Sequence, residues 1–186
     1  AWRRQRALEL TYHIRPDLLR TAPLTEADAR FLGALRAAEI KPFRLYVALL
    51  HYPVYNKKKQ IINTSITNLD LHDIARAAKT YALAAYYIVQ PLDEQRRLFS
   101  QLLEHWRSGF GGLYNPDRKD ALETVHLMPS LELVMDTIAA EDGLPPKIIA
   151  TGAGISQDIT GYTEMRTLME QKGGSYLLLL GTGWGL

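Results

Sequence analysis

The stretch Tyr86-Tyr87-Ile88-Val89 decides how this 186-residue chain is read. Four large apolar or aromatic residues follow one another without polar alternation, the pattern of a strand buried on both faces. Outward from it, apolar runs at 43–50, 84–90, 123–128, 147–151 and 176–180 alternate with helical stretches near 70–82, 93–107, 130–141 and 162–172. That rhythm predicts an α/β domain with a parallel five-strand sheet and helices on both faces. Residues 1–41 read differently. A helical stretch over 2–14 is closed by Pro16, which cannot sit in a helix interior. Thr25 with Asp28 three residues on resembles a capping box, opening a second helix to about Ile40. Its apolar residues Phe31, Leu32, Leu35 and Ala38 fall on one face, and Lys41-Pro42 breaks it. The expected division is a two-helix segment, 1–41, ahead of a sheet domain, 42–186.

A chain of this length buries roughly 70% of its extended surface, enough for a full core without staples. It has no cysteine, which excludes disulfides, thiolate metal sites and a cysteine nucleophile. The longest apolar run, 81–89, is too short to span a bilayer, and no charged-then-apolar leader opens the sequence. The expected compartment is the cytoplasm. The net charge of +2 conceals an asymmetry: residues 1–44 carry +4 and the remainder −2. A basic front on a near-neutral body suits a nucleic-acid-facing arm, and it equally suits an exposed helix with solvated arginines. Both ends read as cut. The start lies inside a helix, and the end is half a loop after a strand, so the chain is expected to be a fragment.

In parallel sheets ligands sit beyond the carboxyl ends of the strands, so the loops 51–69, 152–161 and 181–186 carry the functional expectation. The last of them is Gly181-Thr182-Gly183-Trp184-Gly185-Leu186. Alternate glycines let backbone approach a flat ligand. The segment is neither a dinucleotide fingerprint nor a P-loop, because the third glycine spacing and the Gly-Lys-Ser/Thr ending are missing. A plain turn is the competing reading, although a bare turn has little need for the indole of Trp184. Thr151-Gly152-Ala153-Gly154 leaves similar room on the same rim. In Asn68-Leu69-Asp70-Leu71-His72-Asp73-Ile74-Ala75-Arg76, Asp70 can cap a helix and Arg76 lies two turns in. Arg76 suits a fixed phosphate or hydroxyl contact, or else a surface pair with Asp73 at i,i+3. His72 reads as a local hydrogen-bonding residue. Lys57, Lys58 and Lys59 could meet RNA phosphates or form a solvated turn tip. His51, Tyr52 and Tyr55 are expected on the rim, where they could stack on a base. Trp106 and Tyr114-Asn115-Pro116-Asp117-Arg118 read as packing and turn chemistry. No His/Asp/Glu spacing suggests a metal, and no Gly-x-Ser-x-Gly elbow suggests a serine hydrolase.

Taken together, Asn68 with Ala75-Arg76 and the late run Leu177-Leu178-Leu179-Leu180-Gly181-Thr182-Gly183-Trp184-Gly185-Leu186 resemble the first and second motifs of the SPOUT superfamily of RNA methyltransferases. Leu49-Leu50-His51-Tyr52-Pro53-Val54-Tyr55-Asn56, the run from Thr67 to Arg76, and Tyr114-Asn115-Pro116-Asp117-Arg118 strengthen it. The resemblance covers about 43–186. Trp2-Arg3-Arg4, Ala7-Leu8, Arg15-Pro16-Asp17-Leu18-Leu19 and Leu24-Thr25-Glu26-Ala27-Asp28 are similar to the C-terminal helical tail of the bacterial tRNA (guanine-N1)-methyltransferase family (TrmD), which grips tRNA.

The resemblance implies a fusion of two methyltransferases, with this chain holding the joint and most of the second. It implies S-adenosylmethionine as cofactor, a trefoil-knotted site, RNA (tRNA) as partner and a homodimer, with no metal and no membrane. Cofactor binding would fall on Thr151, Gly152, Ala153, Leu180, Gly181, Thr182, Gly183, Trp184, Gly185 and Leu186. Arg76 would position RNA phosphate or help activate the acceptor, with Asn68 steadying its loop. Arg3, Arg4, Arg6, Tyr52, Lys57, Lys58 and Lys59 would meet RNA. Methyl transfer from a sulfonium needs in-line positioning more than acid–base power, so a missing carboxylate–histidine pair is no obstacle. Ribose-methylating relatives carry glycine where this chain has His72-Asp73, which leaves the acceptor atom open. The third motif would follow Leu186, so the fragment is expected to bind cofactor weakly or not at all and to be inactive alone. Two rivals stand beside this reading: a non-catalytic RNA-binding or dimerisation module of the same fold, and a generic nucleotide-binding fold.

Overall fold

The computed structural model describes residues 2–152 and 159–185. The chain divides into two compact units, one of 1–42 with 161–173 and one of 43–160 with 174–186.

In the first unit, α1 (Trp2–Ile14) is followed by a 3-10 turn (Pro16–Arg20) and α2 (Glu26–Glu39). Thr25 caps α2 as expected: its hydroxyl accepts from the Asp28 amide, and the Asp28 carboxylate accepts from the Thr25 amide. The same carboxylate takes a forked contact from Arg4, Nε to Oδ1 at 2.8 Å and Nη2 to Oδ2 at 2.6 Å, joining α1 to α2. These donors hold the Asp28 carboxyl well below the usual carboxylate range, Arg4 contributing most. Helix α8 (Tyr162–Lys172) belongs to this unit, although its place between two strands predicts a helix of the sheet layer. The Lys41 amide donates to the Glu170 carbonyl at 2.8 Å, and Glu170 also accepts from Arg166.

The second unit is the expected α/β layer structure. Its strands are β1 (Phe43–Leu50), β4 (Ala85–Val89), β5 (Val125–Met128), β6 (Lys147–Ala150) and β7 (Gly174–Gly181). They run parallel in the order β5-β4-β1-β7-β6. Helices α3 (Asn68–Thr80), α4 (Asp93–Arg107), α5 (Phe110–Tyr114), α6 (Pro116–Leu122) and α7 (Leu131–Asp142) complete it. Alternate residues of the central strands face opposite cores, which is why the runs read as continuously apolar. Val47, Leu49, Tyr86 and Ile88 pack with Leu71, Ala75, Phe99, Leu103 and Leu122 on one face. Tyr46, Ala48, Leu50, Tyr87 and Val89 pack with Val134 and Ile138 of α7 on the other.

Two features depart from expectation. A small antiparallel hairpin, β2 (Val54–Tyr55) with β3 (Ile61–Ile62), rises from the loop after β1. Residues 110–122 form α5 and α6 in place of a bare turn; Asn115 caps α6 by accepting from the Arg118 amide, and Pro116 stands at its first position.

The strand order fixes where the chain reverses. From β1 it proceeds outward to β4 and β5, then returns through β6 to lay β7 on the other flank of β1. The strand order thus reverses between β1 and β7, and the carboxyl end of this pair is the switch point at which open α/β sheets bind ligands.

Candidate functional site

At that switch point the terminal loop is pinned to the loop after β1. The Thr182 amide and hydroxyl both donate to the Leu50 carbonyl, at 3.3 and 3.0 Å. Beyond it, the Trp184 amide donates to the Tyr55 carbonyl at 2.7 Å, and the Tyr55 amide to the Gly185 carbonyl at 3.0 Å. Gly183 lies between these contacts; a Cβ there would stand 2.5 Å from the Tyr55 carbonyl oxygen. Only glycine permits that approach. The loop backbone is thus fixed, while the Trp184 side chain stays 71% exposed, with the Lys57 ammonium 5.0 Å over its ring.

The hairpin tip is built by Asn56, whose side-chain oxygen accepts from the Lys58 and Gln60 amides at 2.8 and 3.0 Å. Lys59 takes a left-handed conformation there. Lys57 and the exposed Lys58 and Lys59 are carried beside Trp184, with Tyr52 and Tyr55 partly exposed on the same rim.

Beneath the rim lies a polar cluster in which the sequence singled out His51, Asp70 and Thr182 but not Asn63, Thr64 or Gln90. That residue follows β1 directly and is fully buried, so in this structure it does not stack on a base, contrary to its expected rim position. Its Nδ1 lies 3.0 Å from Thr64 Oγ1, and Thr64 Oγ1 meets Thr182 Oγ1. Its Nε2 faces Asp70 Oδ2 at 3.9 Å. Burial pushes the imidazole below its usual range despite that carboxylate. Gln90, directly after β4 and also fully buried, donates to the Thr64 carbonyl at 2.9 Å and accepts from Asn63 at 2.8 Å. A polar residue abutting an apolar strand end was the available signal for Gln90. Thr64 carried none.

Helix α3 starts at this cluster. Its N-cap is Thr67, with Asp70 closing the box; the sequence pointed to Asp70 but not to its partner. The Tyr86 hydroxyl, at the sheet, donates to the Asp70 carbonyl at 3.0 Å. Asn68 occupies the first helical turn and is exposed. Arg76, two turns on, is exposed and pairs with Asp73 of its own helix. It lies close enough to His72 to act with Arg118, after burial, in lowering that imidazole's pKa. His72 packs edge-on against Trp106, whose ring also carries Arg118.

The other expected site residues fall as follows. Thr151 donates its hydroxyl to the Leu179 carbonyl at 2.9 Å, tying the segment after β6 to β7, and Gly152 beside it is exposed. Leu180 packs against the α3 side of the core, and Gly181 ends β7. Ala153 and Leu186 lie outside the described residues. Among the basic residues of α1, Arg4 is committed to Asp28 and Arg6 pairs with Glu9 at 2.7 Å, while Arg3 is exposed. No cluster of His, Asp and Glu among the described residues could hold a metal ion. No described helix is long and apolar enough to cross a membrane.

A parallel sheet covered on both faces, with a glycine loop pinned at its switch point, defines a ligand-binding α/β domain. The chain belongs to the SAM-dependent RNA methyltransferase family, whose model matches residues 44–186. Over its whole length it is 42% identical to a tRNA (guanine-N(1)-)-methyltransferase of Oleidesulfovibrio alaskensis and equally to one of Nitratidesulfovibrio vulgaris. It spans 43% of the length of each. An uncharacterized protein of Aquifex aeolicus is 37% identical over 142 residues, 76% of this chain and 69% of that protein.

Proposed function

We propose that the sheet domain is a SPOUT-type domain that binds S-adenosylmethionine at the β1/β7 switch point and methylates RNA, with tRNA as the substrate class. The observation that carries this is the fixed glycine loop: three backbone contacts and the Thr182 hydroxyl hold residues 182–185, yet the indole of Trp184 is left exposed. A flat ring and free loop backbone groups fit an adenine-bearing cofactor, and glycine at 183 lets the loop close against Val54 and Tyr55 of the hairpin. When bound, the cofactor supplies an electrophilic sulfonium methyl. The protein's task is then to bind, orient and exclude water.

In this reading Thr182, Gly183, Trp184 and Gly185 hold the cofactor, with Thr151 and Gly152 on the same rim. Asn68 and Arg76 act toward the RNA, and Tyr52 with Lys57, Lys58 and Lys59 receives its backbone and bases. Residues 1–41 serve as a helical arm for tRNA, with Arg3 and Arg6 toward phosphate and Arg4 holding the arm together. The names of the two full-length matches support tRNA as the substrate.

A second reading, a non-catalytic RNA-binding module, is favoured by one observation: Arg76 is exposed and already paired with Asp73. Calorimetric titration of the longer protein with S-adenosylhomocysteine tests cofactor binding, and its absence would defeat the first reading. Methyl transfer to total RNA by the longer protein carrying Arg76→Ala separates the two. Loss of transfer with RNA binding intact supports the enzyme, and unchanged transfer removes Arg76 from its machinery.

A further inference from the structure

The donors and acceptors of the polar cluster around His51 can be followed proton by proton. Each threonine hydroxyl has a single proton to give. That of Thr182 goes to the Leu50 carbonyl at 3.0 Å. With that proton placed there, Thr64 Oγ1 has its shortest acceptor in Thr182 Oγ1, the His51 carbonyl being 3.4 Å away. Its lone pair is left to accept from His51 Nδ1 at 3.0 Å. A neutral imidazole carries one proton, so with Nδ1–H present Nε2 is a bare lone pair. Nε2 is buried without a hydrogen-bond partner among the described residues and faces the carboxylate of Asp70, itself an acceptor, at 3.9 Å.

We propose that His51 is a positioning residue for the terminal glycine loop, held as the Nδ1–H tautomer by a ladder running Leu50, Thr182, Thr64, His51, and joined at its Nε2 to Asp70 through the two protons of one water. A buried lone pair and a partly exposed carboxylate oxygen this far apart repel unless a donor stands between them, and a water with polar partners on both sides is the usual solution. The ladder braces the switch point. It ties the loop after β7 to the loop after β1, and through Asp70 to the capping box that opens α3. Residues 118 positions apart, Thr64 and Thr182, are thereby locked in one register. That this loop holds cofactor rests on the function proposed above; the tautomer and the brace do not.

The test uses the chain without any ligand. Long-range nitrogen–proton NMR of the histidines is expected to give His51 a protonated Nδ1 and a bare Nε2. In Thr182→Val, Thr64 loses its acceptor and turns its proton onto Nδ1. His51 is then expected to switch to the Nε2–H form, donating toward Asp70, with a shift in Trp184 emission. Thr182→Ser keeps the hydroxyl and is expected to retain the original tautomer, a rescue that a packing role would not give. An Nε2–H His51 in the unaltered chain, or a tautomer indifferent to Thr182→Val, would overturn the proposal. With S-adenosylhomocysteine added, Thr182→Val is expected to weaken binding about tenfold, the scale of one lost buried hydrogen bond, and His51→Asn, which keeps a donor to Thr64, far less. Failure of the longer protein to bind that probe would count against the cofactor reading alone, because the tautomer exchange decides the brace without it.

Discussion

The Trp184 amide donates to the carbonyl of Tyr55 at 2.7 Å, so the residue that ends the glycine loop and the residue that ends β2 are held as neighbouring strands are. The contact needs Gly183 between them, where any Cβ would meet the Tyr55 carbonyl oxygen at 2.5 Å and Val54 Cβ at 3.0 Å. Both obstacles are backbone or close to it, so neither can turn aside as a flexible side chain would. Gly183→Ala is therefore expected to detach the loop from the hairpin while the sheet, which ends two residues earlier, stays intact. Trp184 emission should move toward that of a solvated indole and S-adenosylhomocysteine binding should fall at least about tenfold, the scale of one or two lost hydrogen bonds. Far-UV circular dichroism should be unchanged.

Arg107, in the last turn of α4, sends its guanidinium to three contacts on main-chain oxygens: Nε and Nη2 to Leu122 at 3.2 and 2.8 Å, and Nη2 to the carbonyl of Val125. It thus holds the end of α6 and the start of β5, an edge strand, to α4. Hydrogen bonds from a charged donor contribute roughly 1.5–3 kcal/mol. Arg107→Ala is expected to lower the unfolding free energy by about 2 kcal/mol in urea titration. Arg107→Lys should recover part of it, since an ammonium reaches one carbonyl but lacks the fork.

How much of this was legible in the sequence follows from the length of each element. Tyr86-Tyr87-Ile88-Val89 announced a doubly buried strand because four residues are enough to break alternation. Thr25 and Asp28 announced a helix start because both partners of the capping box lie within one turn. The β2–β3 hairpin escaped because each strand has two residues, too few to set a period. The late glycine loop stood out in the sequence as a candidate site because it follows an apolar run and carries an unneeded indole. The brace beneath it was not, because its two hydroxyls come from distant segments that meet only when β7 lies beside β1. His51 was misplaced for the same reason: nothing local says that residues 63–66 fold over it. Arg76 was open between a ligand contact and a pair with Asp73, and the pair is present in the structure.

Asp28 gives the helical arm an acid dependence of known sign. Its carboxyl is held below the usual range, chiefly by Arg4 and then by the Thr25 side chain and amide. A group whose folded pKa is depressed contributes fully above its unfolded value, near 4, and loses that contribution as pH falls below it. Helicity of a peptide covering 1–42 is expected to be steady from neutral pH to about 5 and to fall below about 4. In Asp28→Asn, which loses the charge partner of Arg4, helicity should start lower and that acid step should shrink to the part that Asp17, held low by Arg15, supplies. An unchanged acid step in the variant would remove Asp28 from this role.

His51 and His126 add a second acid dependence, set in the sheet domain and nearer neutrality. Burial lowers both imidazoles; Arg107 lowers His126 further, and Asp70 and Glu141 oppose the shift at His51 and His126 respectively. Each is neutral in the fold at a pH where the unfolded chain has already taken up a proton. Stability is therefore complete above the unfolded value, about 6.5, and declines as pH falls through it. Urea unfolding at about pH 7.5 and about pH 5.5 is expected to show a lower midpoint at the acid value, each unfolded-state proton steepening the slope by up to about 1.4 kcal/mol per pH unit. His126 packs its ring against Tyr87 at 5.4 Å, so His126→Phe keeps the aromatic contact while removing the titration. That variant should keep the unfolding midpoint near its original value at pH 7.5 and lose part of the acid decline; an unaltered decline would assign the dependence to His51 and His72, whose imidazole is also lowered.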